Sequence, residues 1–77
     1  MTDPRQLELW TIYESPRDFP GVFVARKFVC GRYGAVPTDE HYMAETLEAV
    51  REKLPATVSA CFPREENDSA AIVETWI

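Results

Sequence analysis

Hydrophobic and polar positions alternate in two runs near the start of the chain, and the alternation predicts two strands. In residues 7–13, Leu7, Leu9, Thr11 and Tyr13 share one face, with Glu8, Trp10 and Ile12 on the other. In residues 21–29, Phe23, Ala25, Lys27 and Val29 oppose Val22, Val24, Arg26 and Phe28. Between the runs, Ser15, Pro16, Asp18, Pro20 and Gly21 supply turn chemistry. The connection is too long for a two-residue hairpin, and its prolines push the preceding residues toward extended backbone, so a wide, stiff loop is expected. Phe19 is its one large apolar residue and is expected to fold back over the sheet edge.

The period then changes. Met43, Leu47, Val50 and Leu54 recur at helical spacing, with His41, Glu45, Glu48 and Glu52 on the opposite side. Thr38 as N-cap, Asp39 and Glu40 in the first turn, and Pro55 as the stop predict a helix over 39–54. The preceding CGRYGAVP stretch, with two glycines and a proline, reads as a loop. Residues 57–62 alternate as a third strand, 63–70 form an acidic connection, and 71–77 alternate as a fourth strand. The expected architecture is α+β, in the order β-β-α-β-β. A small antiparallel or mixed four-stranded sheet carries one amphipathic helix on one face, in a single domain spanning 1–77.

Charge sharpens the picture. The net charge is −5, but residues 1–37 sum to +1 and residues 38–77 to −6, so the predicted helix side is acidic and repels phosphates. No apolar run approaches the ~20 residues of a membrane helix, and no signal-peptide pattern opens the sequence, so a cytoplasmic setting without membrane contact is expected. In a reducing compartment Cys30 and Cys61 stay as free thiols.

Candidate chemistry is sparse. His41 is the sole histidine and no C-x-x-C or H-x-x-x-H pair exists, so neither a metal nor a cofactor is expected. A cysteine nucleophile would need a base beside it, and the one imidazole falls on the solvent side of the predicted helix. Gly31-Arg-Tyr-Gly34 lacks the spacing and the Lys-Ser/Thr ending of a phosphate loop. Glu65, Glu66 and Asp68 lack the ordering of a calcium loop.

The run LWTIYESPRDFPGVFVARKF resembles a pattern, L-W-x-x-Y-x-x-P-x-D-F-P-x-x-F-V-x-R, of small uncharacterised bacterial and bacteriophage-borne proteins. Leu9, Trp10, Tyr13, Pro16, Asp18, Phe19, Pro20, Phe23, Val24 and Arg26 carry it here, and Glu74, Trp76 and Ile77 close the chain in the matching Glu-x-Trp-aliphatic pattern. The resemblance implies no activity, catalytic residue or cofactor.

With no catalytic constellation, the expectation is a non-catalytic interaction or regulatory module. Its partner would be another protein or a second copy of itself, and the candidate contact residues are Trp10, Arg17, Phe19, Arg26, Arg32, Tyr33 and Trp76. The alternative is a nucleic-acid-binding module using Arg17, Arg26 and Arg32 with neighbouring aromatic rings, against which the acidic pI near 4.7 weighs. One helix covers one side of a four-stranded sheet, yet three predicted strands carry apolar bulk on both sides. The second face must be covered by loops or stay open, and the uncovered face or the sheet edge is then expected to make the contact through Trp10 or Trp76.

Overall fold

A computed structural model describes residues 7–31, 34–65 and 70–77. The elements in chain order are β1 (Leu7–Glu14), β2 (Phe23–Gly31), β3 (Gly34–Ala44), α1 (Leu47–Glu52), β4 (Cys61–Pro63) and β5 (Ile72–Trp76). All strand pairings are antiparallel, and the five strands form one sheet in the order β3-β2-β1-β5-β4. The α+β expectation therefore holds, with one strand more than expected.

The extra strand replaces much of the predicted helix. Residues 34–44 pair with β2 from Gly31↔Gly34 to Phe23↔Ala44, so the loop expected over 30–37 and the helix start expected at Asp39 are both overturned. Thr38 does not cap a helix. Its hydroxyl donates to the Lys27 carbonyl (3.1 Å) and accepts the Glu40 N–H (3.2 Å). The helix begins one cap later, at Thr46, whose Oγ1 accepts the Ala49 N–H at 3.1 Å, and it runs for six residues. The physical reason is long-range: without β3, the outer backbone groups of β2 would lack ladder partners, whereas a short helix loses little by starting later.

The strand expected over 57–62 is also shorter. Only Cys61–Pro63 pair as β4, although Ser59 and Ala60 donate to the Ile77 carbonyl at 2.9 and 3.0 Å. This contact and the return bond from the Ile77 N–H to Ala60 (2.9 Å) tie the end of the chain into the sheet.

Directly paired residues share a face, so the register sorts the side chains. Trp10, Ile12, Ala25, Tyr42, Glu74 and Trp76 lie on the helix side. There Trp10, Ile12, Ala25 and Val50 form the buried core, backed by Phe23, Leu47, Leu54 and Val58. Leu9, Thr11, Tyr13, Val24, Arg26, Phe28, His41 and Thr75 lie on the opposite side. A bulge in the β1–β5 pairing lies between Ile12 and Tyr13, and Val73 also packs against the core.

Candidate interaction surface

The connection between β1 and β2 folds over one end of the sheet face opposite α1. It is closed at its base by the Ser15 N–H to Val22 carbonyl bond (2.9 Å) and by the Gly21 N–H to Ser15 Oγ bond (2.9 Å). Gly21 sits at φ +81, where a side chain would be strained. From this loop Asp18 reaches Arg26 of β2 at 2.5 Å, and the Phe19 ring lies 5.4 Å from the His41 ring on β3. Phe19 thus folds back over the sheet edge as the sequence suggests. Arg26 holds the Asp18 carboxyl below the usual carboxylate range, chiefly through that hydrogen bond. The guanidinium also lies 6.0 Å from the centre of the Tyr13 ring, within cation–π range.

Two recesses flank this ion pair. The larger, 340 Å³, is lined by Tyr13, Pro16, Asp18, Arg26, Phe28 and Pro37. The smaller, 240 Å³, lies between Phe19, His41, Thr38 and Asp39 on the other side of Asp18 and Arg26.

Beyond the loop the face is open. Leu7 is 65% exposed, Phe62 50% and Ile77 42%. Register and alternation place all three on this side, with Leu9, Phe28 and Thr75 between them. Leu7 and Leu9 share the face of Thr11, Phe62 pairs with Thr75, and Ile77 follows Trp76 of the helix side.

The helix side carries the ionic chemistry. Glu74 is only 5% exposed. Arg51 of α1 grips it with two donors, Nε to Oε2 at 2.8 Å and Nη2 to Oε1, and the Trp76 indole N–H donates to Oε2 at 2.5 Å. The Arg51 bonds outweigh burial and hold the Glu74 carboxyl below its ordinary range. Burial first, and then the neighbouring Glu74 charge, push the Cys61 thiol up. Nearer the other end of this face Lys27 bridges Glu8 (3.2 Å) and Glu40 (3.1 Å) across three strands, and the Glu40 bond leads in raising its pKa.

The seven sequence-predicted contact residues do not form one patch. Trp10 is 2% exposed and stacks on Tyr42 with ring centres 5.1 Å apart, so it belongs to the core and offers no anchor to a partner. Trp76 is half-buried on the same side, bonded to Glu74. Phe19 and Arg26 meet at the loop on the opposite side, where Arg17 is exposed. Arg32 and Tyr33 lie outside the described residues. Sequence reasoning did not single out Leu7, Phe62 and Ile77, the apolar side chains that the structure leaves exposed on this face. Strand alternation places each on a definite face, and only the extent of the covering loop shows that face to be open.

Cys30 and Cys61 are free thiols. They sit on β2 and β4, three strand spacings or roughly 14 Å apart, too far to bridge. His41, on β3, is at the opposite sheet edge from Cys61 and pairs with Arg26, four positions along β2 from Cys30. Neither thiol has the imidazole beside it. Among the described residues no group of three or more His, Cys, Asp or Glu side chains is placed to hold a metal ion, and no helix is long and apolar enough to cross a membrane. In comparisons with known proteins, no family model, curated protein or solved structure matches the chain.

Proposed function

We propose that this is a non-catalytic protein-interaction module whose contact surface is the open part of the sheet face opposite α1. The observation that carries the reading is the set of apolar side chains left uncovered there: Leu7, Phe62 and Ile77, continuous with Leu9 and Phe28. Exposed apolar area of this kind costs solubility and is characteristic of surfaces that meet a partner. Two of the groups that could perform acid–base or thiol chemistry, Glu74 and Cys61, are poorly disposed to do so. Glu74 is committed to Arg51 and Trp76, and the Cys61 thiol is pushed up by desolvation and by that carboxylate, away from the thiolate that a nucleophile needs. Nucleic-acid binding fits less well, because Asp18 neutralises Arg26, the central cation of the arginine set. A cytoplasmic setting and a phage link belong to the same reading and rest on the sequence pattern alone.

The test is affinity capture with two baits, the native chain and Phe62→Glu, from cells of the source organism. A protein partner, either another protein or the chain itself, should be retained by the native bait and lost with the variant. Equal retention by both would remove the open face from the function.

A further inference from the structure

The open face and the 340 Å³ cleft lie on the same side of the sheet, and their positions are related. Phe62 pairs with Thr75, Thr75 with Thr11, Thr11 with Arg26, and Arg26 with His41, so all five stand in one row across the strands. Phe62, half exposed on β4, projects at one end of that row. The cleft, walled by Tyr13, Phe28, Pro37 and the Arg26–Asp18 pair, opens toward the other end, over β2 and β3. The central strand, β1, lies between them.

A two-fold axis running parallel to β1 just above this face has a specific effect. It carries β4 of one copy over β2 and β3 of the other and leaves height along the strands unchanged. Each Phe62 then arrives at the other copy's cleft, at the level of Arg26. This is the self-complementarity that an isologous contact requires, in which residue i meets j and j meets i. An axis along the strands also keeps the two sheets nearly aligned, as in face-to-face sheet packing at about 10 Å.

We therefore propose that the occupant of this face is a second copy of the chain, docked face to face, with Phe62 of each copy seated in the other's cleft between Tyr13, Phe28 and Pro37. The inference rests on the interaction reading above and names its partner. Three further observations support it. Both sheet edges are poor templates for strand addition. β3 is interrupted between its pairings with Arg26 and Phe28 and carries Pro37, Asp39 and Glu40, whereas β4 has three residues and ends in Pro63. Charge is arranged for contact between like faces: Glu8, Glu40, Glu48 and Glu52 lie on the helix side, and the opposite face holds the mutually neutralising Arg26 and Asp18, with one further charge of each sign, Arg17 and Asp39, beside them. Stacking the open faces keeps the acidic sides of two −5 chains outermost, separated by well over the ~8 Å screening length. Size is sufficient as well, since the molecule measures 36 × 27 × 22 Å and its broad side can supply the ~800 Å² that each partner gives to a standard interface.

The experiment is sedimentation equilibrium of the full chain from low-micromolar to about 200 μM, followed by isotope-filtered NMR on a mixture of labelled and unlabelled chains. The expected result is a reversible species of twice the 8.8 kDa chain mass, with intermolecular contacts from the Phe62 ring to Tyr13 and Phe28. Phe62→Glu should weaken association by at least about 30-fold, the scale of an interface hot spot. Leu7→Glu, at the most exposed of these positions, repeats the test should the first variant fold poorly. A dimer that lacks those contacts, or that is unchanged in both variants, overturns the proposed docking. A monomer throughout the range overturns the second copy as occupant, and a soluble paramagnetic probe then separates the two readings. Phe62 and Ile77 protons that the probe reaches leave the interaction face standing for a different partner, whereas shielded protons remove the face as well.

Discussion

The two faces of this sheet are built from similar residues and end in different states. On the helix side Ile12, Ala25 and Val50 are fully buried and Trp10 nearly so, and only toward the β3 edge do Val36 and Tyr42 stay exposed. On the other, Val24 is fully buried but Leu7, Phe62 and Ile77 meet water. Hydrophobicity does not separate them; the cover does. The connection from Glu45 to Ala60 supplies a helix, the apolar Leu47, Val50, Leu54 and Val58, and an arginine that reaches across to Glu74. The connection from Ser15 to Val22 is about half as long, is stiffened by two prolines, and spends its side chains on one ion pair and one ring contact at a single end of the face. Burial on either side of a sheet is limited by how much chain is available to lie on it.

The sharpest way to break this comparison is to truncate one apolar side chain on each side. Ile12→Ala should destabilise the fold by about 3–4 kcal/mol, through lost transfer energy and a cavity that Val50 and Ala25 fill only in part. The measurement is urea unfolding, and a loss below about 1 kcal/mol would show the helix-side core to be loosely packed.

A step smaller is the clamp that holds α1 to the sheet. Arg51→Met leaves Glu74 buried with the Trp76 donor in place, and the expected cost is about 2 kcal/mol. That is less than the ~3–5 kcal/mol of a broken, fully buried pair, because Arg51 is itself partly exposed. The same pair sets an acid dependence. The Glu74 carboxyl is held below its ordinary 4.5, so its contribution is fully present above that pH and is lost as pH falls through the depressed native value. Unfolding midpoints from pH 7 to pH 3 should therefore fall more for the native chain than for Arg51→Met. Parallel curves would mean that the pair contributes nothing to acid sensitivity.

Gly34 tests the strand that the sequence conceals. It sits at φ +103 with open space around the position of an added Cβ, so Gly34→Ala should cost about 1–2 kcal/mol through backbone strain alone. Thermal unfolding checks this, and an unchanged midpoint would argue that the Gly31–Gly34 closure relaxes freely.

The smallest effect belongs to the open face. Phe62→Ala, measured at a concentration where the chain is monomeric, should cost no more than about 1 kcal/mol, since the residue is already half exposed. A cost comparable with that of Ile12→Ala would erase the distinction between the faces.

What the residues determine locally is clear in the strands. Alternation alone sets β1, β2 and β5 within one or two residues, puts Arg26 and Lys27 on opposite faces, and groups Trp10 with Ile12 and Glu74 with Trp76. Phe19 as a cover for the sheet edge is legible too, because a stiff loop with one large apolar residue has few places to put it. The stretch 34–44 is not legible in this way. Thr38, Asp39 and Glu40 carry a complete local signature of a helix start, and the structure uses them instead in a strand interruption, with Thr38 bonded to Lys27 and Glu40 paired with the Lys27 ammonium. A cap is worth about 1 kcal/mol and is outweighed by a run of ladder bonds that gives β2 its second neighbour. Strand order is likewise a tertiary decision, and it separates the cysteines, sets Phe62 in line with Arg26 and opens one face. These relations depend on which distant segments meet, and that is decided by the burial and pairing of the whole sheet rather than by the preferences of any one segment.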